Sequence, residues 1–540
     1  MRLTPFGKLL LALMVIGTVG FVVYRLKGDE IRAYAQQGVG KVEEVSKEDF
    51  GQIGQLPDAP RDGKVEVTSA PKAPVGDGKL QRPLRVAINT WAGHAPGIVA
   101  NGGMDPGSAA SLYKKKYGLD VQFTLIEDPT AKLNAFIKGD IDVMWDTVDS
   151  YAREASVLAD QGKQAKSILQ EDWSRGGDGI VSLKTIKSIE DLKGKKIATT
   201  QFTPSHFFLL YMLTQSGLSA QEKTDIERSL VYFDEAPKAA NAFRAKQVDA
   251  AVTWEPDLTN SVNARPDDAH ILISTTAATN VIADTLVARE ELVQQAPRTV
   301  QDFVAGWFDG ISVMQEDPDG ANRLIGSALK LGPEDVSGML SGLKLTPFAD
   351  NAQFYGLTSQ KPYFNQLFNA AFVIWRKKGV VTKVVDAKDW QDSRFVSALA
   401  DQYKGQKVEE SFAFKDKPKV SDRAIVNKSL SIHFTTGSDQ IMPGSYFTLD
   451  SLGETMLSFG NTFLQIEGNT DSRGNPMANK SLSQKRAESV KKYLVENFKI
   501  PEARFVAVGR GSSNPVASNA DEDGRALNRR TDIKVVLNAQ

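Results

Sequence analysis

The chain of 540 residues contains no cysteine. That excludes disulfides, thiolate metal ligands and thiol nucleophiles. Histidine is scarce as well: His94, His206, His270 and His433 are the only four, and none are paired at the spacing of a structural zinc site. Neither sign of charge is in excess, because 65 basic and 66 acidic residues leave a net charge of -1. No overall field therefore steers the chain toward nucleic acid. There is no Gly-x-Ser-x-Gly elbow and no Gly-rich Lys-Ser/Thr phosphate loop, and no acid/base pair stands out as a catalytic couple. Asp140 and Asp142 flank a turn and a strand as a charged rim would. Long apolar runs are missing except for Leu9–Tyr24, preceded by Arg2 and Lys8 and closed by Arg25 and Lys27. The nearest small-x-small sequence, Ala33-Tyr34-Ala35, lies well past the run, so an uncleaved membrane anchor is expected rather than a removed signal peptide.

What is present divides along the chain. The length suggests two or three domains. Residues 30–83 are polar, with scattered proline and glycine, and read as a tether. From Leu84 short apolar segments recur: Arg85–Ile88, Val121–Ile126, Ile141–Trp145, Lys196–Thr199, Ala250–Trp254 and Ile271–Ile273. Helical patterns lie between them at Ala131–Lys138, Ser205–Ser216 and Lys238–Ala245. Such alternation implies parallel or mixed sheets with connecting helices. One internal echo, Ala135–Asp142 against Ala242–Asp249, fits two similar α/β lobes. Helices are expected at Val300–Gln315, Pro318–Leu329 and Tyr363–Lys377. The charged, patternless Lys404–Lys419 reads as a second linker. A smaller α+β unit follows, with strands expected at Ser431–Phe434, Thr462–Glu467, Arg504–Val508 and Thr531–Leu537, and helices at Pro443–Leu457 and Ser483–Glu496.

The last part of the chain carries the densest motif: Gly468-Asn469-Thr470-Asp471-Ser472-Arg473-Gly474, Asn479, Arg486-Ala487, Gly509-Arg510-Gly511, Gly524-Arg525 and Asn528-Arg529-Arg530. These residues resemble the OmpA-like peptidoglycan-binding domain over its whole length. The resemblance implies a pocket for the diaminopimelate residue of the wall stem peptide. Asp471 would take its amino group and Arg486 its carboxylate, with Asn479 and Asn528, Arg529 and Arg530 shaping the pocket. The chemistry is sensible by itself. Diaminopimelate offers an ammonium and a carboxylate, and a guanidinium fork matches a carboxylate better than a lysine does. Arg486 is expected in the first turn of its helix, where amide donors assist. The bland alternative is an Asp471–Arg486 surface salt bridge, worth about 0–1 kcal/mol.

The region from Leu84 to about Ala400 resembles periplasmic solute-binding proteins of the nitrate, sulfonate and taurine class. The pieces are Asn89–Gly93, Asp178–Val181, Ile189–Ile197, Trp254–Asp257 and Ile282–Val287. The resemblance implies two lobes joined by two crossing segments, placed near Gly179–Leu183 and Ile273–Thr276, with ligand between the lobes. Strand ends and helix starts collect ligand groups in open α/β sheets. They nominate Thr90, Trp91, Asp146, Thr147, Thr203, Ser205, Trp254 and Glu255, with Asp128, Asp172 and Asp178 as further rim candidates. Thr203 or Ser205 can equally be a helix cap, and each Trp a core residue. Asp146 and Glu255 complicate any oxyanion ligand and would favour an amine or guanidinium.

The expected architecture is a two-lobed α/β periplasmic-binding-protein fold of type II plus a C-terminal α+β OmpA-like domain, behind an N-terminal transmembrane helix. Its boundaries are 1–29 (stub and anchor), 30–83 (tether), 84–400 (lobes 84–179 with 276–400, and 180–275), 401–428 (linker) and 429–540. The expected protein is non-catalytic, without cofactor or metal. It sits in the inner membrane as a single-pass protein with periplasmic domains bound to peptidoglycan. It captures a small solute, an anion among the options, for an ABC permease or an envelope sensor partner. An envelope scaffold with empty lobes and a wall-active enzyme are the alternatives.

Overall fold

The computed structural model describes residues 75–537 apart from 359–361, 409–413, 415–417, 422–423 and 436. The expected anchor and most of the tether lie outside the described residues. Among the described residues no helix is long and apolar enough to cross a membrane.

The polar N-terminal stretch ends in a hairpin, β1 (Val75–Gly76) and β2 (Lys79–Leu80). Lys79 pairs with Asp302 at 2.6 Å, and the Leu80 N–H donates to Thr299 Oγ1 at 2.9 Å. Residues 75–83, expected as tether, are thus fastened to the folded body. The first sheet starts with β3 (Leu84–Ile88), β4 (Val121–Leu125), β5 (Val143–Thr147) and β6 (Ala165–Ser174). Every residue of β5 is buried, as in an interior strand covered on both faces.

The chain then crosses at Arg175–Gly177 into a second sheet of β7 (Asp178–Leu183), β8 (Ile197–Thr200), β9 (Leu230–Phe233), β10 (Ala250–Trp254) and β11 (Ala269–Ser274). It returns through Thr275–Ile282 to β12 (Ala283–Arg289) and β13 (Leu343–Leu345). The strand orders are β13-β6-β12-β5-β3-β4 and β11-β7-β10-β8-β9. Gly179–Leu183, expected as a crossing, instead lies inside β7, where β10 and β11 pair with it on both edges. The chain passes between lobes a few residues earlier, at a Gly176-Gly177 pair that no ladder holds.

Asp142, read as part of a charged rim, is fully buried. Arg82 reaches it at 2.6 Å, Arg85 at 3.0 Å and Arg289 at 2.5 Å. Burial alone would raise its pKa, but the hydrogen bonds from Arg82 and Arg85 win and hold it well below the usual carboxylate range. This hub ties the chain ahead of β3 to the ends of β5 and β12. Nearby, the Pro297–Glu316 helix lies tightly on Ala95–Asn101 because Gly310 has no side chain: a Cβ there would stand 2.0 Å from the Pro96 carbonyl oxygen.

The C-terminal sheet comprises β14 (Val426–Leu430), β15 (Thr462–Asn469), β16 (Phe505–Gly511) and β17 (Thr531–Leu537), in the order β14-β17-β15-β16. The strand expected at Ser431–Phe434 is displaced to β14, because pairing with β17 selects Val426–Leu430. Phe434 makes a single bridge to Ile441. The helices Tyr446–Leu457 and Pro476–Phe498 accompany the sheet. The domain is bonded to the preceding lobes: Gly460 N–H donates to Thr279 Oγ1 at 3.0 Å, and Asn280 Nδ2 donates to the Leu457 carbonyl at 3.1 Å. Lys428 Nζ reaches Gln215 Oε1 at 3.2 Å.

Candidate functional sites

The glycine-flanked loop after β15 carries Asp471. Its Oδ1 accepts from the Arg473 N–H at 3.0 Å, which folds the loop back, and its Oδ2 accepts from Arg529 Nη1 at 2.7 Å. Asn479 donates to the carbonyls of Arg473 at 2.8 Å and Asp471 at 3.3 Å, so it braces the same loop. The following helix begins far earlier than the apolar pattern suggested. Asn475 caps it by accepting from the Met477 and Ala478 amides, and Pro476 occupies its first turn. Arg486 is therefore well inside the helix, where the amides are already paired, and the assistance expected from a helix start does not apply.

Arg486 is half-buried. Its Nε donates to the Ser438 carbonyl at 3.0 Å, and its guanidinium lies 4.8 Å from the centre of the Phe434 ring. Desolvation pulls its pKa down, with the Arg529 charge adding to this and Asp439 and Asp471 opposing it. Arg486, Arg529 and Asp471 thus share one electrostatic neighbourhood, yet the bond that forms is Asp471–Arg529 and not the Asp471–Arg486 pair. Arg529 also reaches Glu522 at 2.7 Å. Two other residues have their polar atoms committed elsewhere. Asn528 is buried and bonded to Val516, Ala517 and Asn519. Arg530 is buried against Asp532 at 2.9 Å and the Asn514 carbonyl at 3.1 Å.

Between the lobes the residues nominated from sequence divide into two groups. Several have local partners. Thr90 gives both its N–H and its hydroxyl to Glu127, at 2.9 and 2.6 Å. Asp146 shares buried Lys132 with Glu154, each at 3.2 Å, and burial followed by the charge of Glu154 raises its pKa. Thr203 does not cap its helix but donates back to the Thr200 carbonyl at 2.7 Å. Glu255 accepts from the Thr259 hydroxyl at 2.6 Å and its N–H at 3.1 Å. Trp91 is buried and donates its indole N–H to Asp172 at 3.0 Å, while its ring fills the space beside Gly177 in the crossing.

The remainder lie beside the crossing. Trp254 is directly opposite Asp178 in the β10–β7 ladder. Ser205 Oγ is buried without a hydrogen-bond partner, and Thr147 bonds the Asp149 side chain. The starts of the Val148–Asp160 and Pro204–Gln215 helices, one from each lobe, meet where Ser150 Oγ donates to the Phe202 carbonyl at 3.4 Å. Trp375 packs on Phe202, His206 and Phe207 and seals that junction.

Two residues here escaped the sequence reading. Asp149, in the first turn after β5, has its pKa pushed up to about 7 by burial. Asp284 stands in β12 directly across from Asp172 and Thr147, and burial and the charge of Asp172 raise its pKa well above normal. Asp178 is pushed up to about 7 as well, by burial and then by Asp149 and Glu255, against a hydrogen bond from Ser174 at 2.7 Å. A signal existed for Asp284: a lone acid in the apolar run Ile282–Val287 is costly to bury without purpose.

Comparison with known proteins gives two family matches, the OmpA family at residues 433–529 and NMT1/THI5 like at residues 112–321. The outer membrane porin F of Pseudomonas fluorescens is 40% identical over 116 residues, covering 22% of this chain and 35% of that protein. The porin F of Pseudomonas aeruginosa is 35% identical over 116 residues, 22% of this chain and 33% of its own, so the chain spans about a third of each porin. The peptidoglycan-associated lipoprotein of Pseudomonas putida is 32% identical over 115 residues, 21% of this chain and 68% of its own. Among solved structures, the periplasmic aliphatic sulphonate binding protein of Escherichia coli is 18% identical, covers 57% of this chain and 96% of its own, and has a TM-score of 0.45. By its C-terminal domain the chain belongs to the OmpA family, and it carries that domain behind a two-lobed α/β region that matches the NMT1/THI5 like model.

Proposed function

We propose that this chain is a non-catalytic binding protein tethered to the cell wall, whose two lobes close on a small solute and hand it to an ABC-type importer or report it to a sensing partner. One observation carries the solute half. Two buried hydroxyls of the second lobe, Thr199 Oγ1 and Ser205 Oγ, lack a hydrogen-bond partner near the crossing where lobe motion would open and close the site. Buried polar atoms without partners are costly, and a bound ligand with matching groups removes that cost. The wall half rests on Asp471 and half-buried Arg486 sharing a neighbourhood without bonding each other, which leaves a carboxylate and a guanidinium for the two ends of a diaminopimelate side chain. A peptide-borne zwitterion needs such a separated pair.

An inner-membrane anchor at Leu9–Tyr24 remains part of this reading. It would set the lobes at a fixed height between membrane and wall, which suits a local donor or sensor better than a diffusing carrier. The test is native mass spectrometry of the full chain purified from its host, combined with retention on isolated diaminopimelate-type sacculi. The expected result is a retained small molecule and sacculus binding. A chain that binds sacculi but neither retains nor takes up any solute would leave only the tether.

A further inference from the structure

Four buried carboxyls gather beside the crossing between the lobes, and each reaches it by a different route. Asp284 is held in register by β12 between Thr147 of β5 and Asp172 of β6. Asp178 opens β7 immediately after the crossing, and Asp149 sits in the first helical turn after β5. All four are at most 7% exposed. They act on one another: Asp172, Asp178 and Asp149 all disfavour ionisation of Asp284, Asp178 and Asp284 bear on Asp172, and Asp149 bears on Asp178. Neutral side chains donate to them, with the Trp91 indole on Asp172 at 3.0 Å, the Ser174 hydroxyl on Asp178 at 2.7 Å and the Ser150 hydroxyl on Asp149 at 3.3 Å, while Thr147 also bonds Asp149 and Asp284 bonds Asp172. Among the described residues no lysine, arginine or histidine makes an ion pair or hydrogen bond with any of the four side chains. Lys132, whose charge acts on Asp149, is bound to Asp146 and Glu154.

A second observation, independent of the acids, points to a ligand at this place. Strand register puts Asp178, Trp254, Val252 and Thr199 on one face of the second sheet, because Asp178 lies opposite Trp254 and Ile197 lies beside Ala250. The Pro204–Gln215 helix, which begins with Ser205, covers that face through Phe207–Leu213. Thr199 Oγ1 and Ser205 Oγ are fully buried there and have no hydrogen-bond partner. The second-lobe side therefore holds spare hydroxyls, and among the described residues no basic side chain is bonded to the four acids. The carboxylates do not converge as a metal cage does, since among the described residues no group of three metal-ligating side chains is close enough to hold an ion.

Taking the solute-binding reading as given, we infer that the lobes close on an organic cation, a molecule whose ammonium, amidinium or guanidinium group is read by Asp149, Asp172, Asp178 and Asp284, with Trp254 beside it. An oxyanion entering this site would add negative charge to a low-dielectric region already overloaded with it. A nitrogen cation discharges the acids, supplies N–H donors to the orphan oxygens, and can lie against the indole of Trp254. The spare hydroxyls of Thr199 and Ser205 then orient the rest of the molecule.

The experiment uses the full chain at neutral pH, with thermal unfolding and calorimetric titration against putrescine, agmatine and choline on one side and ethanesulfonate, nitrate and inorganic phosphate on the other. At least one cation is expected to raise the melting temperature and titrate to saturation while the anions do not. Asp149→Asn and Asp178→Asn are each expected to weaken that binding tenfold or more while the variants retain the wild-type circular dichroism. Preferential binding of ethanesulfonate, nitrate or phosphate overturns the cation reading and leaves solute capture standing, since the acids would then act as protonated donors. A blank with all six probes overturns the cation reading. Native mass spectrometry of chain from the host then separates the two failures, because a retained neutral or anionic molecule preserves capture and an empty chain removes it. Should an asparagine variant fail to fold, the wild-type comparison of cations with anions still decides.

Discussion

Arg529 donates to Asp471 at 2.7 Å, while Arg486 faces the same carboxylate's neighbourhood without bonding it. Arg529 thus orients Asp471, and on the proposed wall-binding reading Arg486 is the fork for an incoming carboxylate. Asp471→Ala and Arg486→Ala are each expected to cut retention on diaminopimelate-type sacculi tenfold or more. Arg486→Lys should not restore it, because a lysine cannot present two coplanar donors. Cosedimentation of the full chain with purified sacculi measures this, and unchanged retention of the double Ala variant removes the wall-binding reading.

Asp142 anchors three arginines from separate segments of the first lobe. Asp142→Ala leaves partly buried guanidinium groups without their shared counterion and should destabilise the lobe by about 3–5 kcal/mol. Urea unfolding followed by tryptophan fluorescence reads the loss. A change below about 1 kcal/mol would mean that water replaces the carboxylate at little cost.

Stability should also depend on pH through the cleft acids. Asp149 and Asp178 hold a proton up to about pH 7 in the folded chain but ionise near their ordinary value of 3.8 when unfolded. Between those values the folded state binds more protons, so the stability contributed by these groups falls as pH rises and levels off above about 7. Thr147, Ser150 and the charge of Lys132 act on Asp149 to oppose this, and Ser174 does so on Asp178, where Glu255 reinforces it. Asp149→Asn and Asp178→Asn together should flatten the melting temperature between pH 5 and pH 8, relative to the wild type, by removing that slope. An unchanged slope would assign it to other groups.

Gly310 tests the packing of the first lobe. A methyl group there collides with the Pro96 carbonyl, which is backbone and cannot rotate away. Gly310→Ala is therefore expected to cost about 1–3 kcal/mol despite the better helix propensity of alanine. Gly338 has open space around its Cβ position, also within a helix, so Gly338→Ala should be neutral or slightly stabilising. Paired melting curves separate the two.

Much of the fold was legible because it is written in local pattern. The β10 strand at Ala250–Trp254 and the helices Pro318–Leu329 and Tyr363–Lys377 appear at their expected bounds. Errors fell where pairing or capping, rather than periodicity, sets the limit. Ser431–Phe434 lost to Val426–Leu430 because β17 selects its partner by register. The Pro476–Phe498 helix began early because Asn475 and Pro476 start it before its apolar face begins. The linker before β14 was misjudged in part for a related reason: Tyr403 stacks on Phe348, a contact that charge-rich composition does not announce.

The sequence by itself determined the two architectures and the residue types of the wall site, because the spacing of glycines, Asp471 and Arg486 is a local property of one loop and one helix. Only the tertiary structure decided which charges meet. Asp471 chose Arg529 over Arg486, and Asp142 moved from an imagined rim to a buried hub. Asp284 joined Asp149, Asp172 and Asp178 from a segment more than a hundred residues further along the chain. Electrostatic interaction depends on distance in space and on burial, and neither is carried by order along the chain until the sheets pair and the lobes close.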